Sequence, residues 1–77
     1  MSLEMIKEAI TKRRTITFEY NKLGKVKGPR IGNPYAVFDM SLKDGSKTTK
    51  VHIFQTGGVS DSILNLPDFR MFDLSDM

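Results

Sequence analysis

A chain of 77 residues with a net charge of +3 and no cysteine suffices for one domain with a small core. It excludes disulfide staples, thiol catalysis and thiolate metal sites. Its 39% apolar and 27% charged residues are ordinary globular proportions, so disorder is not expected.

In chain order, Ser2 is placed to cap a helix over about residues 3–13. Leu3, Ile6 and Ile10 fall at helical spacing, with Met5 and Ala9 beside them. Glu8 and Lys12 form an i, i+4 pair in the favourable order. Lys12, Arg13 and Arg14 follow, where positive charge suits the helix C-terminus and suits a phosphate equally well.

The period then changes to two. Ile16, Phe18 and Tyr20 share one face of a strand over residues 15–20. Asn21-Lys22-Leu23-Gly24 is a turn signal. A second strand is expected over 25–31, on an edge or bulged because Gly28-Pro29 interrupts it. Gly32-Asn33-Pro34 is expected to redirect the chain into a central strand over 35–40. Asp44-Gly45 marks a hairpin turn. The returning strand over 47–55 puts Val51 and Ile53 on one face and His52 and Phe54 on the other. Residues 56–68 read as the longest loop, and a last strand over 70–74 alternates Arg70, Phe72 and Leu74. One helix and five short strands predict a single mainly β domain over 1–77, a small five-stranded barrel closed to shield its edges.

Charge is placed unevenly along this pattern. Residues 1–30 hold eight Lys/Arg and three Glu, whereas residues 31–77 hold four Lys/Arg and six Asp. That suits a polyanion partner for one face, and equally a chance segregation. No apolar run is long enough to span a membrane, and Met1-Ser2-Leu3-Glu4-Met5 is not a secretion signal, so a cytoplasmic location is expected.

Several segments together resemble the WYL domain, an SH3/Sm-like barrel of bacterial transcription regulators and of defence-associated and phage proteins. They are "IKEAITKRRTITFEYN" (6–21), "RIGNPYAV" (30–37), "VHIFQTGGVSDS" (51–62) and "PDFRMFDLSDM" (67–77), in the family's order. The sequence departs from the family in lacking tryptophan, in having Gly32 at a usually apolar position, and in ending Ser75-Asp76 where Asp-Arg is usual. It also has no helix-turn-helix segment. The resemblance implies a stand-alone sensor of nucleotides or single-stranded nucleic acid, acting as a regulator of transcription or of host defence, as in a phage protein. It carries Arg30, Tyr35, Arg70 and the 56–62 loop onto ligand binding, and also His52, where the family tends to have arginine.

The residues have their own chemistry. An arginine is a rigid fork that matches phosphate oxygens, so Arg30 is an anion contact or an ion pair with an Asp. Arg70 either pairs across the sheet or lines a pocket. His52 beside Phe54 is either packed or in contact with a ligand. Glycines and hydroxyls at 56–62 suit a pocket rim or a plain connection, and Asp61 there would repel a phosphate. Tyr35, Phe54 and Phe69 are the aromatics free enough to stack on bases. The candidate ligand-binding set is therefore Arg30, Tyr35, His52, Gln55, Gly57, Gly58, Ser60 and Arg70. One histidine and scattered aspartates supply no metal site, and no cofactor is expected. Ser60 and Ser62 lack a predictable base, so catalysis is not expected. The competing reading is a protein-interaction module, either a homo-oligomer or an inhibitor of a host protein.

Overall fold

The computed structural model describes residues 1–61 and 65–77. Helix α1 spans Leu3–Thr11, two residues shorter than expected. The Ser2 hydroxyl accepts the Met5 N–H at 3.2 Å, and the Lys12 ammonium reaches Glu8 at 2.8 Å, both as the sequence predicts. The helix stops because Arg13 takes a left-handed φ of 53°. The Arg14 N–H then turns back to the Ala9 carbonyl at 2.9 Å, and the Arg13 N–H to Ile10 at 3.3 Å. This is a Schellman cap with arginine at the position that glycine usually takes.

Four strands follow: β1 (Ile16–Glu19), β2 (Pro29–Ser41), β3 (Lys47–Gly58) and β4 (Asp68–Asp73), with a 3₁₀ turn at Leu74–Asp76. They form one antiparallel sheet in sequence order. The expected count of five strands is corrected to four. Gly32-Asn33-Pro34 does not end a strand; it stays paired with β3, opposite Gln55, Phe54 and Ile53. Shifts of register at Ile31/Gly32 and Pro34/Ala36 take up the bend as bulges, so two short strands merge into one of 13 residues. Pro29 opens that strand, a position that needs no ladder donor. The Asp44-Gly45 turn forms as expected, with the Leu42 N–H on the Ser46 carbonyl at 2.8 Å. β3 runs on through Gly57 and Gly58, so the connection to β4 is shorter than predicted.

The closed barrel is corrected to an open sheet, because β1 and β4 share no ladder. The sheet nevertheless curls until their side chains meet. Phe72 lies edge-on to Phe18 at 5.0 Å and to Tyr20 at 4.9 Å. The Tyr20 hydroxyl accepts the Asp73 N–H at 2.9 Å, and the Asn21 N–H donates to the Asp76 carbonyl at 2.8 Å. β1 is only four residues long, and its outer edge stays unpaired among the described residues. The concave face holds the core of Ile6, Phe18, Tyr20, Val51, Ile53 and Phe72, with α1 packed against β2.

Candidate functional site

A cleft of about 400 Å³ opens along the seam between the end of β1 and the free edge of β4. Tyr20 and Phe72 form its apolar part, with Met71 at the rim. Its charged lining is Lys22, Lys25, Arg30, Lys50, Arg70, Asp61 and Asp73. The fold puts these together for simple reasons. Arg30 lies opposite Phe18 in the β1–β2 register, and Arg70 lies opposite Ile53 in β3–β4, so both point toward the concave face. Lys22 and Lys25 belong to the turn after β1, which crosses the seam.

The carboxylates only partly offset the cations. Arg30 is 2% exposed. It donates to Asp61 at 2.8 Å and to the Val26 carbonyl at 2.9 Å, and its guanidinium carbon lies 5.6 Å and 5.5 Å from the Tyr20 and Phe72 ring centres. Its Nε has no partner among the described residues. Arg70 bonds Asp68 at 3.0 Å, while its second terminal nitrogen is buried without a partner among the described residues. Asp73 alone serves both Lys22 and Lys50. Their hydrogen bonds hold its carboxyl at about 2, well below the ordinary 3.8. Asp61 is also held low, chiefly by the Val26 N–H it accepts and then by Arg30. Burial pushes the Tyr20 phenol up. Lys22 is raised by its bond to Asp73. Five cations thus face three carboxylates, counting Asp68 behind Arg70. An anion entering the cleft meets a positive excess and the partly exposed Arg70 side chain.

The convex face carries a second feature. Tyr35, Phe54 and His52 surround Phe69, with ring centres 5.5, 4.9 and 4.7 Å from it. Tyr35 is 60% exposed and Phe69 45%, so stacking area remains open. Tyr35 stands at the Pro34/Ala36 bulge, which turns it toward β4. Met71 pairs with His52 in the ladder and also lines the seam cleft, so the ring cluster and the cleft adjoin.

No protein-family model, curated protein or solved structure matches this chain.

The candidate residues divide accordingly. Arg30 and Arg70 converge on one cleft, while Tyr35 and His52 lie together in the ring cluster. Gln55 points into the fold. It is 0% exposed and its amide donates inward to the Gly57 and Val59 carbonyls at 3.0 and 2.8 Å. For Gly57 and Gly58 the expected loop is corrected to strand: they belong to β3, opposite Ile31 and Arg30. Ser60 lies half-buried just beyond β3, and Ser62 falls outside the described residues. Asp61, expected to repel an anion, locks Arg30. Sequence reading missed Lys22, Lys25, Lys50 and Asp73; the basic excess of residues 1–30 was the one signal for the first two. Among the described residues, no group of three or more His, Asp or Glu is placed to hold a metal ion. No described helix is long and apolar enough to cross a membrane.

Proposed function

We propose that this chain is a binding module for a nucleotide or single-stranded nucleic acid, with no catalytic role. In fold, the curled sheet is an open variant of the SH3/Sm-like barrel that the WYL resemblance implies. The observation that carries the reading is the convergence of Arg30, Arg70, Lys22, Lys25 and Lys50 on one cleft, beside an exposed ring cluster. Phosphate is held by forked and point cations, and bases stack on rings of any sequence. Arg70 is the first phosphate contact, because its side chain is 20% exposed whereas that of Arg30 is 2% exposed. Arg30, held by Asp61, shapes the field rather than gripping the ligand. A cytoplasmic regulator of transcription or of host defence fits such binding, by analogy with the family.

The test is a fluorescence-anisotropy titration with single-stranded oligonucleotides at low and moderate salt. Three phosphate contacts at about 0.7 each in salt slope weaken binding about 20-fold between roughly 50 and 200 mM salt. Arg70→Gln lowers that slope by about 0.7. Absence of binding by any oligonucleotide at low salt overturns the reading. A second reading has its own support in the uncovered edges of β1 and β4 and in exposed Met71 and Phe69. It makes the module a homo-oligomer or the partner of a host protein. Self-association that persists at high salt, seen by sedimentation, identifies it.

A further inference from the structure

A second basic cleft, of about 480 Å³, lies on the far side of the ring cluster. It is lined by Ile10, Arg13, Arg14, Asn33, Pro34 and Tyr35. The helix cap presents the two arginines here. Arg13 sits at φ 53°, where a side chain costs about 1–2 kcal/mol relative to glycine, yet the position carries a cation. Arg14 is 62% exposed and reaches Glu8 only at 3.9 Å, and Glu8 is already held by Lys12 at 2.8 Å. Among the described residues Arg13 forms no ion pair and Arg14 only this long one. The Thr15 hydroxyl donates to Asn33 Oδ1 at 2.6 Å and so fixes one wall.

Tyr35 belongs to this cleft and also meets Phe69 edge-on at 5.5 Å. Met71 joins the other end of the ring cluster to the seam cleft. The order across the surface is cation pair, rings, cation cluster. Tyr35 on β2 and Met71 on β4 are two strand spacings apart, about 10 Å.

We infer that the Arg13–Arg14 cleft is a second phosphate subsite, and that the ligand is a single strand of several nucleotides spanning both clefts rather than a mononucleotide. The inference rests on the reading of the seam cleft as an anion site. A polyanion fits better than a protein, because cations flank the rings on both sides. Such a strand places phosphates at both ends and bases on Tyr35 and Phe69. Its length falls at the short end of the range of about 4–16 nucleotides known for small single-strand binders.

The experiment titrates thymidine monophosphate and oligothymidylates of about two and about eight nucleotides into the parent, Arg13→Gly/Arg14→Gln and Arg70→Gln. Glycine at position 13 suits the left-handed backbone, so the double variant keeps its fold, which a thermal melt verifies. The parent binds the longer strand at least about ten-fold more tightly than the dinucleotide, by bridging. The double variant keeps the dinucleotide affinity, loses that gain, and shows a salt slope lower by about 1.4, or two contacts. Arg70→Gln weakens both lengths. If the double variant binds the longer strand with the parent's affinity and slope, the second subsite is refuted while the seam cleft stands. If the parent binds none of the three ligands at low salt, the seam reading fails and this inference with it.

Discussion

Replacing Gly58 by alanine puts a methyl group where β2 and β3 touch. A Cβ there lies 2.2 Å from the Pro29 carbonyl oxygen and 2.7 Å from Arg30 Cα, both backbone atoms that cannot swing aside. Gly58 also has φ +83°, which costs an alanine about 1–2 kcal/mol. Forcing the two strands apart adds about 1–3 kcal/mol. The expected loss is then about 2–5 kcal/mol, against a total stability near 4–12 kcal/mol for a domain of this size. In a thermal melt followed by circular dichroism, the midpoint falls by at least about 8 °C. Gly57→Ala is the internal control. A Cβ at 57 meets only the Ile31 side chain at 3.7 Å, so stability shifts by no more than about 1 kcal/mol and oligonucleotide binding is unchanged. Equal stability of the two variants would refute the close approach of β2 to Gly58. Loss of binding in a well-folded Gly57→Ala variant would assign that glycine to the site.

Three further outcomes are expected. Asp73 is depressed from 3.8 to about 2 in the folded state, so its stabilisation is present above about pH 4 and is lost as pH falls from there toward 2; Asp73→Asn forfeits on the order of 2 kcal/mol at neutral pH and flattens the acid limb in urea titrations. Tyr35→Ala weakens oligonucleotide binding by about five-fold or more while moving stability by less than about 1 kcal/mol, because its ring is mostly exposed; unchanged affinity removes it from the stacking surface. Arg13→Gly raises stability by about 1 kcal/mol, or about 4–8 °C in melting temperature, by relieving the left-handed strain; a lower midpoint contradicts the assigned backbone.

Much of the architecture can be read from local chemistry. The cap at Ser2, the Ile16/Phe18/Tyr20 face, the Asp44-Gly45 hairpin and the two-sided pattern of Val51 to Phe54 depend on neighbours in sequence. The strand count does not. Gly32-Asn33-Pro34 resembles a turn, and only the pairing with β3 makes it two bulges in one long strand. That pairing also explains the glycine at 32: a Cβ there lies 2.7 Å from the Phe54 carbonyl oxygen and 2.6 Å from Ile53 Cγ2. The site was legible in part for the same reason. Arg30 and Arg70 stand out by residue type and alternation, and Tyr35, Phe54 and Phe69 by the shortage of exposed aromatics. Lys22, Lys25 and Lys50 did not stand out, because nothing local shows that the turn after β1 crosses to β4. Gln55 looked available because a strand end next to two glycines resembles a rim, whereas its amide bridges carbonyls inside the fold.

The join between β1 and β4 rests on one phenol, one carboxylate and a few ring edges, with no run of amide pairing. Hydrogen exchange should therefore reach the Asp73 amide, which donates across the seam to Tyr20, by a partial opening well before the β3–β4 ladder gives way. Such an opening widens the same slot in which the arginines converge, so whatever enters there also acts as a clasp and slows that exchange.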